Sequence, residues 1–288
     1  MRVSIIAALV TAAVSGAASA QGAHPQVSPD GERVAYFSFD MSARSASIHV
    51  YSFASGETET LDTGTLWSVN PTWHPSENRI AFGGAVGGMS DAWNVYEMNL
   101  DTGEVTQLTD TAQREAHTHY SPDGTRLAFV RMGPTADVFI LDLASREVTA
   151  VTSTEGREFH VKWADNDTLV YDLSEGERSW IVAHDIGGAI HRIEGAVEDG
   201  RVGLPAVQQG TGALAFAIRG PAGSELVVLR GDARTVAYAA ETRWNVGGSY
   251  WRPGREEIVF TIASEDRVSR LMVVNPETGE ARPLIAED

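Results

Sequence analysis

The sequence predicts an all-β fold, a six-bladed β-propeller of four-stranded antiparallel blades. Three observations carry that expectation. A turn such as Pro29-Asp30-Gly31, preceded by a large apolar residue and followed by an apolar triplet, recurs six times in varying states of decay. The residues before the turns are Val27, Trp73, Tyr120, Trp163, Val207 and Trp251, at intervals of 46, 47, 43, 44 and 44 residues. A fixed period of about 40–50 residues, with several short strands in each period, marks a propeller. Finally, no segment between 25 and 285 sustains a capped 3.6-residue apolar period, so helices should be nearly absent.

Each repeat reads as four strands in order. The first ends on the large apolar residue. In Ser-Pro-Asp-Gly the proline fixes φ, the aspartate bonds nearby backbone and the glycine accepts a positive φ, so the chain reverses. The second strand carries the triplet: Val34-Ala35-Tyr36, Ile80-Ala81-Phe82, Leu127-Ala128-Phe129, Leu169-Val170-Tyr171, Leu214-Ala215-Phe216 and Ile258-Val259-Phe260. The third is an apolar run, as at Asn94–Leu100 or Val138–Leu143. A tight turn such as Asp101-Thr102-Gly103-Glu104 leads to a short fourth strand. The expected blades cover 24–66, 67–112, 113–155, 156–200, 201–242 and 243–288, within one domain over 21–288. The first unit opens on its inner strand and the last closes on its outer strand. The ring should therefore close by face-to-face packing of units one and six, without strand exchange.

The beginning of the chain has a different character. Arg2, the apolar run Val3–Val14 and Ala18-Ser19-Ala20 before Gln21 form a secretory signal pattern over residues 1–20, with cleavage near Ala20. The run is too short to span a bilayer, and no later stretch is long and apolar enough, so no transmembrane anchor is expected. A periplasmic or secreted product follows. The chain has 288 residues, 22 Lys+Arg against 39 Asp+Glu and a net charge of −17, which loss of Arg2 takes to −18. That balance excludes a nucleic-acid partner. The absence of cysteine excludes disulfides, thiolate metal sites and a cysteine nucleophile.

The repeats Pro25-Gln26-Val27-Ser28-Pro29-Asp30-Gly31, Pro71-Thr72-Trp73-His74-Pro75 and Tyr120-Ser121-Pro122-Asp123-Gly124 resemble the PD-type repeat of TolB-like propellers. The resemblance covers about 24–285 and implies an exported interaction platform. TolB carries a further domain before its propeller. Here the first repeat begins at His24, so that domain is expected to be missing. Similar propellers precede hydrolase domains in prolyl-peptidase-like enzymes, but no Gly-x-Ser-x-Gly elbow occurs here. Some TolB-like propellers are metal-dependent lyases of uronate oligosaccharides.

Candidate functional residues come from the inner strands, whose first residues should ring one mouth of a central channel. Four positions before the turn the six units carry His24, Asn70, His117, His160, Leu204 and Gly248. Two positions before it they carry Gln26, Thr72, His119, Lys162, Ala206 and Tyr250. Strand alternation would put each such pair on one side. Units three and four also share Arg114-Glu115-x-His117 and Arg157-Glu158-x-His160, a pattern the repeat itself does not require. His24, Asn70, Arg114, Glu115, His117, His119, Arg157, Glu158, His160, Lys162 and Tyr250 are therefore the candidate ligand-binding residues. His-x-His spacing suits a divalent ion, with His117, His119 and His160 as candidate ligands for Zn, Mn or Ca. These histidines also read as hydrogen-bonded inner-strand residues, and no cofactor is then required. The expected product is a monomeric, non-catalytic propeller that binds an envelope or extracellular protein, peptide or glycan. The alternative is a metal-assisted lyase or hydrolase of an acidic oligosaccharide, with no catalytic residue assigned.

Overall fold

The computed structural model describes residues 5–6, 23–88, 91–195, 200–221, 223–241, 244–264 and 268–285. The expected leader lies outside them except for β1 (Ile5–Ile6), which pairs with Val105 and Glu104. Every other element belongs to a run of four-strand units. The first holds β2 (Ala23–Val27), β3 (Arg33–Asp40), β4 (Ser45–Ser52) and β5 (Thr58–Thr60). The second holds β6 (Trp67–Trp73), β7 (Arg79–Ala85), β8 (Asn94–Asn99) and β9 (Glu104–Gln107). The third holds β10 (Arg114–Tyr120), β11 (Arg126–Met132), β12 (Ala136–Asp142) and β13 (Val148–Ala150). The fourth holds β14 (Arg157–Trp163), β15 (Thr168–Glu175), β16 (Arg178–Asp185) and β17 (Ile190–Gly195). The fifth holds β18 (Arg201–Val207), β19 (Leu214–Gly220), β20 (Gly223–Arg230) and β21 (Ala233–Ala239). The sixth holds β22 (Trp244–Trp251), β23 (Ile258–Ser264), β24 (Ser269–Val274) and β25 (Ala281–Pro283).

The fold is all-β, with no helix among the described residues. Hydrogen bonding groups the strands into sheets of nine, eight, four and four. The two larger sheets arise where a single parallel pair ties one unit to the next: Ala46 with Trp67, and Ala136 with Arg157. Within each unit, consecutive strands pair antiparallel. The apolar triplets of the second strands are all buried and form the cores between neighbouring units.

The turns behave as their composition requires. Gly31 and Gly124 sit at φ of 76° and 73°. Asp123 accepts hydrogen bonds from Ser121 Oγ at 2.6 Å and from Thr125 N at 2.9 Å, which hold its carboxyl down at about 2.

Junctions between units reuse these positions. Trp73, Trp163 and Trp251 each donate Nε1–H to a carbonyl of the preceding inner strand: Gln26 at 3.0 Å, His119 at 3.0 Å and Ala206 at 3.1 Å. His74 of the second unit reaches the Gly124 carbonyl of the third at 3.2 Å. Arg252 of the sixth unit makes the corresponding contact to the first, donating Nε–H to the Gly31 carbonyl at 2.8 Å. Its guanidinium also lies 3.6 Å from the Phe53 ring centre and binds Glu257 at 2.7 Å. Val27, Val34 and Tyr36 pack there with Val259, Leu271, Val273 and Leu284. Among the described residues no strand of the first unit pairs with one of the sixth, so these units meet face to face.

Arg252 is buried and holds this junction, so Arg252→Ala should cost about 2–3 kcal/mol, because a charge-assisted bond is lost and the Gly31 carbonyl is left unpaired. Gly31→Ala should also destabilise, since its Cβ would stand 2.8 Å from the Pro253 carbonyl oxygen at a φ of 76°. Chemical denaturation of the two variants checks both.

Candidate functional site

All six inner strands carry the same defect. In the third unit Ala116 faces Val130 and His119 faces Ala128, so three steps on β10 match two on β11. The same one-residue slip occurs between Ala23 and Gln26, Val69 and Thr72, Phe159 and Lys162, Gly203 and Ala206, and Val246 and Ser249. This is a β-bulge. It bends the strand and puts the residue four before the turn into left-handed backbone: His24 (48°), Asn70 (51°), His117 (56°), His160 (52°) and Leu204 (61°). Non-glycine residues in that region cost about 1–3 kcal/mol each and persist where the surroundings fix them.

The bulge also breaks strict alternation, so the expectation that residues four and two before the turn share one side of the strand does not hold. The first set forms an upper ring around a pocket, also lined by Gln26, Thr118, Lys162 and Ser249. The pocket has room for about one water or ion.

Three half-buried histidines meet there. His24 stacks on His160 with ring centres 5.1 Å apart and interplanar angle 12°. His117 stands edge-on to both, at 4.6 Å from His160 and 5.7 Å from His24. One ring nitrogen from each of the three lies within 4.8 Å of the others. Phe37 backs His24 at 5.8 Å. Gly248 gives His24 its place, because a Cβ at 248 would come within 3.1 Å of His24 Nδ1.

Burial, then repulsion from His160 and Lys162, holds the His24 imidazole well below its usual range. His117 is lowered well below its usual range by burial, then by His160, His24 and Lys162. Both rings are thus neutral near pH 7, as a metal ligand must be. His160 Nδ1 lies 2.7 Å from Asp172 Oδ1, which also accepts the Leu204 N–H at 3.2 Å.

The other candidates separate into two groups. His119 is buried in the second layer, its Nδ1 3.1 Å from the Tyr120 carbonyl and 3.4 Å from Trp163 N. It does not join the histidine trio; His24 does. Tyr250 lies beside it at 6.3 Å, its hydroxyl pushed up to about 12 by burial. Lys162, the chain's single lysine, is half-buried with Nζ 5.9 Å from the Tyr250 ring, and burial lowers it to about 7. Arg114 and Arg157 are exposed at the entry ends of β10 and β14, over the rings of Trp93 at 5.5 Å and Phe159 at 5.4 Å. Asn70 is buried, and its carbonyl accepts the Thr118 hydroxyl at 3.0 Å.

Glu115 and Glu158 point away from the pocket into the sheet packing. Glu115 is fully buried, with Oε1 on Arg131 at 2.7 Å and the Thr109 hydroxyl on Oε2. Glu158 has the Thr154 hydroxyl at 2.6 Å on Oε1, while its buried Oε2 has no hydrogen-bond partner.

Asp172 is the residue the repeat analysis missed. It follows the apolar triplet of its unit, where the other units carry Phe37, Gly83, Val130, Ala217 and Thr261. A carboxylate at an otherwise uncharged repeat position was the available signal.

The TolB beta propeller domain profile (PD40) matches residues 17–199, more than half of the chain. The chain belongs to the TolB β-propeller family. TolB from Acinetobacter baumannii is similar at 17% identity and TM-score 0.64, over 88% of this chain and 66% of that one. An oligogalacturonate lyase in complex with manganese is similar at 12% identity and TM-score 0.62, over 92% of this chain and 77% of that one. An uncharacterized peptidase, YuxL of Bacillus subtilis (strain 168), is 31% identical over 104 residues, 35% of this chain. The chain spans only 16% of that peptidase and 66% of the A. baumannii TolB. The solved structures share the fold at identities too low to carry function. Among the described residues no helix is long and apolar enough to cross a membrane.

Glu158 gives a pH signature. Burial raises its carboxyl above the ordinary range, and Asp137 adds to the rise. The folded chain therefore binds this proton more tightly than the unfolded chain. Stability should fall as pH climbs from the usual carboxylate range through the raised value, and stay lower above it. Glu158→Gln should melt higher than the parent near pH 8, and the gap should close toward about pH 4. Thermal melts across that range check it.

Proposed function

We propose that the chain is an exported, monomeric, six-bladed propeller of four-stranded blades, a single domain over 21–288. It acts without catalysis as a binding platform, in the periplasm or outside the cell, after removal of a leader near Ala20. Its partner is an envelope or extracellular protein, peptide or glycan, engaged at the mouth where the inner strands begin. The observation that carries the reading is the pairing of exposed Arg114 and Arg157 with aromatic rings at the entry ends of the strands that carry His117 and His160, on a chain of charge −17. Guanidinium groups held over aromatic faces suit a planar or carboxylate-bearing group on the partner. Exposed Phe39, Met41 and Leu66 add apolar surface near the entry of the first two inner strands.

Peptide and glycan arrays probed with the purified chain test this. A ligand selected by the parent should bind Arg114→Ala/Arg157→Ala about tenfold more weakly or worse, the equivalent of losing one charge-assisted bond, with unchanged melting. Unchanged affinity would move the binding surface elsewhere.

A second reading is favoured by the histidine trio and by the likeness to the manganese-bound lyase. It is a metal-assisted lyase or hydrolase of an acidic oligosaccharide. In a lyase the ion would polarise the uronate carboxylate while a base takes the α-proton. The net negative charge opposes a polyanionic substrate. Ultraviolet detection of unsaturated product from oligogalacturonate with Mn²⁺ decides it. Turnover would replace the platform reading.

A further inference from the structure

We propose that His24, His117 and His160 form a site for one divalent transition-metal ion, with Asp172 as its positioning residue. The inference does not depend on what the mouth binds. It rests first on convergence. Three units of the repeat bring an imidazole to one point. The donor nitrogens lie within 4.8 Å, against about 3.3 Å for two nitrogens on a tetrahedral zinc. Side-chain rotation of His24 and His117 closes that gap, while His160 is already held.

Its second support is the Asp172 contact. A carboxylate on His160 Nδ1 fixes the ring and leaves Nε2 as its remaining donor atom, the carboxylate–histidine arrangement that supports metal-bound histidines. Its third is space: the pocket has room for about one ion.

The donor set also selects the ion. Three imidazoles and no carboxylate in the trio favour Zn²⁺ over Mn²⁺ and disfavour Ca²⁺, which takes oxygen ligands. Leu204 and Gly248, the ring positions of the fifth and sixth units, offer no side-chain donor. The ion would therefore keep a coordination position open to the pocket, as exchangeable zinc sites do. The groups facing the trio are Asp172, Lys162 and Arg219, the last with its guanidinium on the Val246 carbonyl at 2.6 Å.

The test is calorimetric titration with Zn²⁺, together with Co²⁺ electronic spectra, on the full chain. Asparagine already occupies the equivalent left-handed position at Asn70, so His→Asn exchanges should leave the backbone intact. The parent should bind one Zn²⁺ per chain. His24→Asn, His117→Asn and His160→Asn should each abolish binding while keeping the parent's circular dichroism. Asp172→Asn should weaken binding 10–100-fold and alter the Co²⁺ spectrum, a change that loss of a merely structural contact would not produce. His119→Asn should bind like the parent. Absence of zinc binding by the folded parent would overturn the proposal. So would retention in His24→Asn, or loss in His119→Asn equal to that in His117→Asn.

Discussion

The one-residue bulge near the start of each inner strand is the constraint on which this molecule depends. It separates a regular lower part of the strand, where the residue before the turn packs into the core, from an upper residue forced into left-handed backbone. The penalty for that conformation is met five times over by the surrounding sheet, at His24, Asn70, His117, His160 and Leu204. Because the bulge repeats, six equivalent residues are delivered to one pocket, and the sequence at a single repeat position sets the chemistry of the mouth. His, Asn, His, His, Leu and Gly at that position make four of the six positions polar and leave Leu204 and Gly248 without a polar side chain.

The junctions between units make this placement rigid. Tryptophan N–H groups bond to the preceding inner strand at three junctions, and side chains at the turn-starting position reach the next unit's glycine carbonyl at two others. The contact of Arg252 with Gly31 repeats between the ends of the chain what His74 and Gly124 do within it. Closure thus needs no exchanged strand; the repeat's own interface serves, with a guanidinium in place of an imidazole.

The strand order and the turns were legible because periodicity and turn chemistry are local. So was the packing of units one and six, which follows from which strand begins the repeat and which ends it. The grouping of histidines was only half legible. Alternation paired His117 with His119, but the bulge intervenes and sends His119 into the second layer against Tyr120 and Trp163. Which distant repeats approach across a ring is a property of closure, so His24 could not be joined to His160 from spacing alone. Glu115 and Glu158 looked like mouth residues beside two arginines, yet burial among neighbouring strands claimed both. Asp172 stood out only as a charge in an otherwise uncharged column.

Whether the repeated bulge builds a metal site from His24, His117 and His160 is read most directly from crystals grown with zinc and measured across the zinc absorption edge. One anomalous peak should appear bounded by His24, His117 and His160, with Asp172 on the far side of the His160 ring. A peak on His119, or an empty trio with zinc bound only at surface carboxylates, would contradict it.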